Sequence, residues 1–247
     1  MILQPNRFTG QKARAYLSQR RVRVVEYEMF PEHHLARIKT AQAIAEEPLF
    51  LALVKNIVRS RQEYSEDLVL LPEATDDLSL LRLKTLLNEL STYDIIPSYK
   101  IDERNKIVVF RRPLSSEQLN FLTGIWLEYY VGHIMIETLK RVADSGIECD
   151  FLFRAKYGKR EQVRGEIDCL ALVDTTVIIV EAKSCRVSDR IDKSCISKQT
   201  ALATRVDGCA VVVSLAAEQV ERRDRVAIVP CKKFIGYFDE IVQKKGI

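Results

Sequence analysis

Apolar and polar positions change their spacing twice along this chain. From about Leu35 to Arg61 the apolar residues recur at helical spacing, with a break at Glu47-Pro48, where a proline interrupts the backbone ladder. Leu78–Leu90 (LSLLRLKTLLNEL) predicts a second, strongly periodic helix. The period then shortens. Ile95–Ile101 and Lys106–Arg111 read as strands joined through Asp102-Glu103-Arg104-Asn105, a charged hairpin. A helix followed by such a hairpin fits a winged helix-turn-helix, as it fits many small α+β modules.

Beyond Pro113 the pattern alternates between the two periods. Ser115 or Ser116 supplies helix-start chemistry for a long helix over Glu117–Val142. A strand near Cys149–Ala155, a basic loop, and two strands folded about Asp174-Thr175-Thr176 follow. Next come a helix near Ile191–Arg205, strand Cys209–Ser214, a short helix around Ala216–Arg222, strand Val226–Val229 and a last helix Phe234–Lys244. This order predicts an α/β fold with a mixed sheet flanked by helices, over residues 114–247. A smaller, mostly helical, winged-helix-like module with a β-hairpin is expected over residues 1–113.

Composition narrows the class. At 247 residues with 47% hydrophobic content the chain can bury one large core or two modest ones. The formal net charge of +4 permits nucleic-acid binding without demanding it. Cys149, Cys169, Cys185, Cys195, Cys209 and Cys231 form no C-x-x-C pair, and several lie in apolar runs, so reduced buried thiols are expected rather than disulfides or a zinc site. No apolar stretch approaches the ~20 residues of a membrane span, and the amino end lacks the pattern of a secretory signal. A soluble, cytoplasmic protein is expected. Neither a P-loop nor a dinucleotide-binding glycine pattern occurs.

The chemistry concentrates on the paired strands. Gly165-Glu166-Ile167-Asp168 opens one apolar run and Glu181-Ala182-Lys183 closes the next. Folding about Asp174–Thr176 sets Asp168 beside Glu181 and Ala182, and the period of two points Glu181 and Lys183 to one face. Two adjacent carboxylates repel unless a hard cation lies between them, and Mg²⁺ or Mn²⁺, which take oxygen ligands, suit such a pair. Lys183 would then face a scissile phosphate, orienting or deprotonating water or stabilising developing charge. A structural ion pair at the sheet edge is the alternative use of the same three residues.

Together with the element order, Gly124-Ile125-Trp126-Leu127-Glu128-Tyr129-Tyr130-Val131, the Glu-Ile-Asp of 166–168 and the Glu-Ala-Lys of 181–183 resemble the PD-(D/E)XK nuclease superfamily, with its αβββαβ core. Within it the sequence is most similar to the nuclease domain of CRISPR ancillary nucleases that carry a CARF sensor domain. The resemblance covers about Leu114 to Val229. It implies catalytic roles for Asp168, Glu181 and Lys183, with Glu128 as the acid of the first helix and Gln199 as a polar residue of the following helix. It also implies metal ligation by Asp168, Glu181, the carbonyl of Ala182 and Glu128. Here the acid before the second strand stands in Glu-Ile-Asp rather than Pro-Asp.

Other residues carry weaker signals. Arg154, Lys156, Lys159, Arg160 and Arg164 crowd eleven positions against one acid, Glu161, and with Lys193 and Lys198 they are the candidate nucleic-acid track. Arg205 extends it weakly. Glu32-His33-His34 reads as a surface turn, and Trp126 and Tyr129 read as core. The function expected is a metal-dependent nuclease acting on DNA or RNA in CRISPR-associated or other anti-phage defence. A non-catalytic nucleic-acid-binding scaffold and a restriction or repair nuclease outside CRISPR are the alternatives. Cutting both strands of a duplex calls for two sites, so a homodimer joins nucleic acid among the expected partners.

Overall fold

The structure is a computed structural model and describes residues 7–30, 35–63, 68–70, 77–159, 162–184, 193–215, 217–223 and 225–245. The chain begins with α1 (Gln11–Gln19), β1 (Arg23–Glu28), α2 (Leu35–Glu46), α3 (Pro48–Glu63), β2 (Leu68–Leu70), α4 (Asp77–Thr92), β3 (Tyr99–Asp102) and β4 (Ile107–Phe110). It continues through α5 (Ser116–Asn120), a π-helical turn (Phe121–Ile125), α6 (Trp126–Asp144), β5 (Cys149–Lys159), β6 (Gln162–Val173), β7 (Thr176–Lys183) and α7 (Lys193–Val206). β8 (Cys209–Ser214), β9 (Glu221–Arg223), β10 (Val226–Pro230) and α8 (Phe234–Lys245) complete it.

These elements pack as two compact units, one of residues 1–33 with 131–247 and one of residues 34–130. A single division at Pro113 assigns the first 33 residues to the helical module. Instead β1 runs antiparallel to β5, more than a hundred residues away, and so returns the amino end to the large sheet. Local periodicity carries no trace of such a long-range pairing.

The larger unit holds a seven-stranded mixed sheet in the order β1-β5-β6-β7-β8-β10-β9. β5, β6 and β7 form an antiparallel meander, and β8 joins β7 in parallel through α7. Val177, Ile178, Ile179 and Val180 are all buried, as a central strand covered on both faces requires. On one face Leu170, Leu172, Val177, Ile179, Ala210, Val212 and Ile228 pack against Leu17 of α1 and Leu202, Ala203 and Val206 of α7. On the other, Phe153 stacks edge-on against Phe30, and a Cβ at Gly132 of α6 would lie 2.6 Å from the Phe30 ring. Only glycine lets the helix come that close.

Several expectations change in detail. The basic segment after Ala155 is no loop: β5 runs on to Lys159, so Arg154 and Lys156 are strand residues, and Arg164 lies on β6. The short helix expected around Ala216–Arg222 is absent among the described residues, and the edge strand β9 occupies Glu221–Arg223. The long helix after Pro113 is broken by the π-helical turn at Phe121–Ile125. Arg160, Cys185 and Glu32-His33-His34 lie outside the described residues.

The smaller unit packs α2, α3 and α4 with a three-stranded sheet in the order β2-β4-β3. Its hairpin turn is closed by Asp102, whose Oδ1 and Oδ2 accept from the Asn105 N–H at 3.1 Å and its Nδ2 at 2.7 Å. Ser115 is the helix cap, forming a reciprocal capping box with Gln118.

One buried acid ties the amino-terminal helix to the sheet. Asp150 on β5 accepts from Gly10 N–H at 2.8 Å and Phe151 N–H at 2.9 Å through Oδ1, and from Ala13 N–H at 3.0 Å through Oδ2. It thus caps α1 from a distant strand, because Gly10 at the helix start has no side chain to do so. Replacing Asp150 by Ala strands these donors, and urea unfolding is expected to show a loss of about 2–3 kcal/mol.

Candidate active site at the ends of the central strands

The meander brings together residues that are 13 positions apart in the chain. Cys169 pairs with Val180, and the same antiparallel register sets Asp168 against Glu181. The Ala182 N–H donates to Asp168 Oδ2 at 2.8 Å, which fastens the carboxylate to the next strand. Glu181 is only 5% exposed, at the mouth of an otherwise apolar strand. Its two oxygens are engaged by different neighbours: Oε1 lies 2.6 Å from Lys183 Nζ, and Oε2 accepts from Gln199 Nε2 at 2.8 Å. Lys183 therefore shares a face with Glu181, as the strand period requires.

Gln199 reaches this cluster from α7 and is fully buried. Its Oε1 has no hydrogen-bond partner among the described residues. A buried acceptor beside two carboxylates makes an oxygen-rich donor set, which fits a hard divalent cation better than a soft one. Among the described residues no group of three His, Cys, Asp or Glu forms a closed metal cage. Two carboxylates, with the remaining positions left to water and substrate, are the usual complement for Mg²⁺.

The charge balance decides the state of Lys183. Burial by itself would lower the ammonium, but the charge and hydrogen bond of Glu181, together with the charge of Asp168, outweigh it and hold Lys183 above its ordinary value. Cys195, in the first turn of α7, lies in the same electrostatic environment, and burial followed by the Glu181 charge pushes its thiol up.

The remaining expected residues are distributed as follows. Glu128 is half-buried in the first turn of α6 and falls within the smaller unit. Arg154 pairs with Glu28 at 3.0 Å and approaches Glu166 at 3.6 Å, and Lys156 pairs with Glu26 at 2.9 Å. Lys198 donates to the Glu166 carbonyl at 3.2 Å, joining α7 to β6. Arg164 and Lys193 are exposed, and Lys159 ends β5. Sequence reasoning missed the two β1 acids, Glu26 and Glu28. A Glu-Tyr-Glu strand carries no local signal, and pairing across the sheet is what gives its acids partners.

A mixed sheet whose central strands converge an Asp with a Glu-x-Lys resembles the fold of a PD-(D/E)XK-type nuclease domain. Residues 115–234 match the family described as "Card1-like, endonuclease domain", and the resemblance read from the motifs holds. Among solved structures the chain is similar to protein VC1899 from Vibrio cholerae, with 19% identity and a TM-score of 0.57 over 94% of this chain. It is also similar to Can2 from Sulfobacillus thermosulfidooxidans, solved in complex with cyclic tetra-adenylate, with 12% identity and a TM-score of 0.57 over 93% of this chain. In each case the chain spans 60% of the other protein's length. At these identities the likeness is one of fold. No curated protein matches the chain in sequence.

Replacing Glu181 by Gln removes the charge that holds Lys183 protonated while leaving its burial in place. The Lys183 pKa is expected to fall below that of the unaltered protein, and an NMR pH titration of the lysine side chain reads this directly.

Proposed function

We propose that this protein is a Mg²⁺- or Mn²⁺-dependent nuclease that hydrolyses phosphodiester bonds at the Asp168–Glu181–Lys183 site. The observation that carries the reading is the register of β6 on β7, which brings two carboxylates and one lysine together. A non-catalytic scaffold would gain nothing from placing a 5%-exposed carboxylate there.

Each residue of the chain has a distinct task. Asp168 and Glu181 hold the cation, with the carbonyl of Ala182 as a further ligand. Gln199 keeps Glu181 oriented through its Nε2 donor, and its buried Oε1 is available as an acceptor. A bound divalent ion polarises the phosphoryl oxygen and lowers the pKa of water. Lys183 stabilises the negative charge that develops on the phosphate.

Nucleic acid is the partner this chemistry implies, with Arg154, Lys156, Lys159, Arg160, Arg164, Lys193 and Lys198 as candidate backbone contacts. A place in CRISPR-associated or other anti-phage defence is supported by the Card1-like domain. No helix among the described residues is long and apolar enough to cross a membrane, which suits cytoplasmic action on nucleic acid.

Incubation with labelled single- and double-stranded DNA and RNA tests the reading. Cleavage should appear with Mn²⁺ and stop with EDTA. Asp168→Ala and Glu181→Ala should each abolish it while circular dichroism and melting stay close to the unaltered protein. Lys183→Met should slow it by about 10²–10³-fold. Cleavage that persists in Glu181→Ala would remove the assignment.

A further inference from the structure

Strand β1 contributes nothing to the Asp168–Glu181 constellation, yet it lays two carboxylates along the cations nearest to it. Glu28 Oε1 accepts from Arg154 Nη1 at 3.0 Å, and Glu26 Oε2 accepts from Lys156 Nζ at 2.9 Å. Acids two apart on β1 meet bases two apart on β5. Two strand residues cover roughly 6.5 Å, a step comparable with that between neighbouring phosphates of a nucleic-acid strand.

The position of this ladder connects it with the site. Phe153 faces Cys169 and Ala155 faces Ile167 across β5 and β6, so Arg154 and Asp168 occupy the facing positions between them. The ion pairs are open to water, with side chains 30% exposed for Arg154, 40% for Lys156, 51% for Glu28 and 63% for Glu26. Pairs exposed to this degree are weak and exchange readily with other anions. Glu26 also holds the Lys156 ammonium above its ordinary value, chiefly through their hydrogen bond.

Two backbone features coincide with the same stretch. Arg154 has a φ of 46°, a left-handed conformation that crowds any Cβ and that only glycine enters freely. Such conformations in non-glycine residues gather at functional sites. The pairing of β1 with β5 slips twice, between Val24 and Glu26 and between Glu26 and Glu28. The edge strand is thus least regular where it presents its acids.

We propose that Arg154 and Lys156 bind successive phosphates of the strand entering the Asp168–Glu181–Lys183 site, and that Glu26 and Glu28 occupy these two cations as phosphate mimics until nucleic acid displaces them. The inference rests on the nuclease reading above and adds a competitor to it. Substrate gains two phosphate contacts only by displacing two carboxylates, so the β1 acids set a threshold for binding.

Anisotropy of labelled single- and double-stranded DNA and RNA, measured on the full chain in EDTA from about 50 to 200 mM salt, tests this. Glu26→Gln with Glu28→Gln should tighten binding about tenfold, because each cation loses its β1 carboxylate while the hydrogen-bonding shape is kept and Glu166 stays beside Arg154 in both proteins. Arg154→Gly and Lys156→Ala should each weaken it about tenfold and lower the salt slope by about 1. Glycine suits the left-handed backbone, so Arg154→Gly removes the guanidinium without adding strain. Where the double Glu variant melts early, the single Glu28→Gln variant should still tighten binding about threefold. Unchanged or weaker binding in the Glu variants at unaltered melting temperature, or unaltered binding by Arg154→Gly, overturns the inference. An unaltered protein that binds none of the four nucleic acids overturns the nuclease reading with it. One that binds and cuts while the charge variants stay silent overturns the inference alone.

Discussion

Like-charge repulsion between Asp168 and Glu181 is the constraint around which the centre of this molecule is organised. Two carboxylates set side by side at the end of a buried strand destabilise the fold unless donors and cations answer them. Here the Ala182 N–H, the Lys183 ammonium and the Gln199 amide do so, each from a different structural origin. The first is main chain of the adjacent strand, the second lies two residues along the same strand, and the third comes from the crossover helix. Such a cluster is stable only if the meander and the β7-α7-β8 unit are both formed. The apolar core beneath α7 is therefore part of the site's chemistry as well as of its stability.

The same logic extends across the sheet. The larger unit carries its cations in pairs with acids drawn from distant segments: Arg154 with Glu28, Lys156 with Glu26, and Lys12 with Glu148. Two cations of a run that looks like a basic patch in one dimension are paired once folded, because β1 contributes acids that lie far away in the chain. Electrostatic attraction for a polyanion then depends on which pairs are open enough to exchange. Net charge by itself carries little of that information.

Asp150 shows how the fold keeps polar groups satisfied where the local sequence cannot. α1 starts at a glycine, so its leading N–H groups need an acceptor from elsewhere, and a buried aspartate on β5 provides it. This contact, the β1–β5 pairing and the Phe30–Phe153 packing all draw the amino-terminal residues onto the sheet. A unit assembled from both ends of the chain results.

The sequence by itself determined the local features. Proline at position 48 broke the first helical run, Ser115 capped the next, and Val177–Val180 declared a strand buried on both faces. The convergence of Asp168, Glu181 and Lys183 was also legible, because a short connection and a period of two leave little freedom in a hairpin. Family motifs supplied Gln199, which periodicity does not single out. Tertiary structure alone decided what depends on contacts between distant segments. It turned the basic loop into strand, placed β9 where a helix was expected, brought β1 to the sheet edge and neutralised Arg154 and Lys156 with Glu28 and Glu26. Hydrogen-bonding partners along a sheet are chosen by the fold, and neither charge nor periodicity in one segment specifies which distant segment will lie beside it.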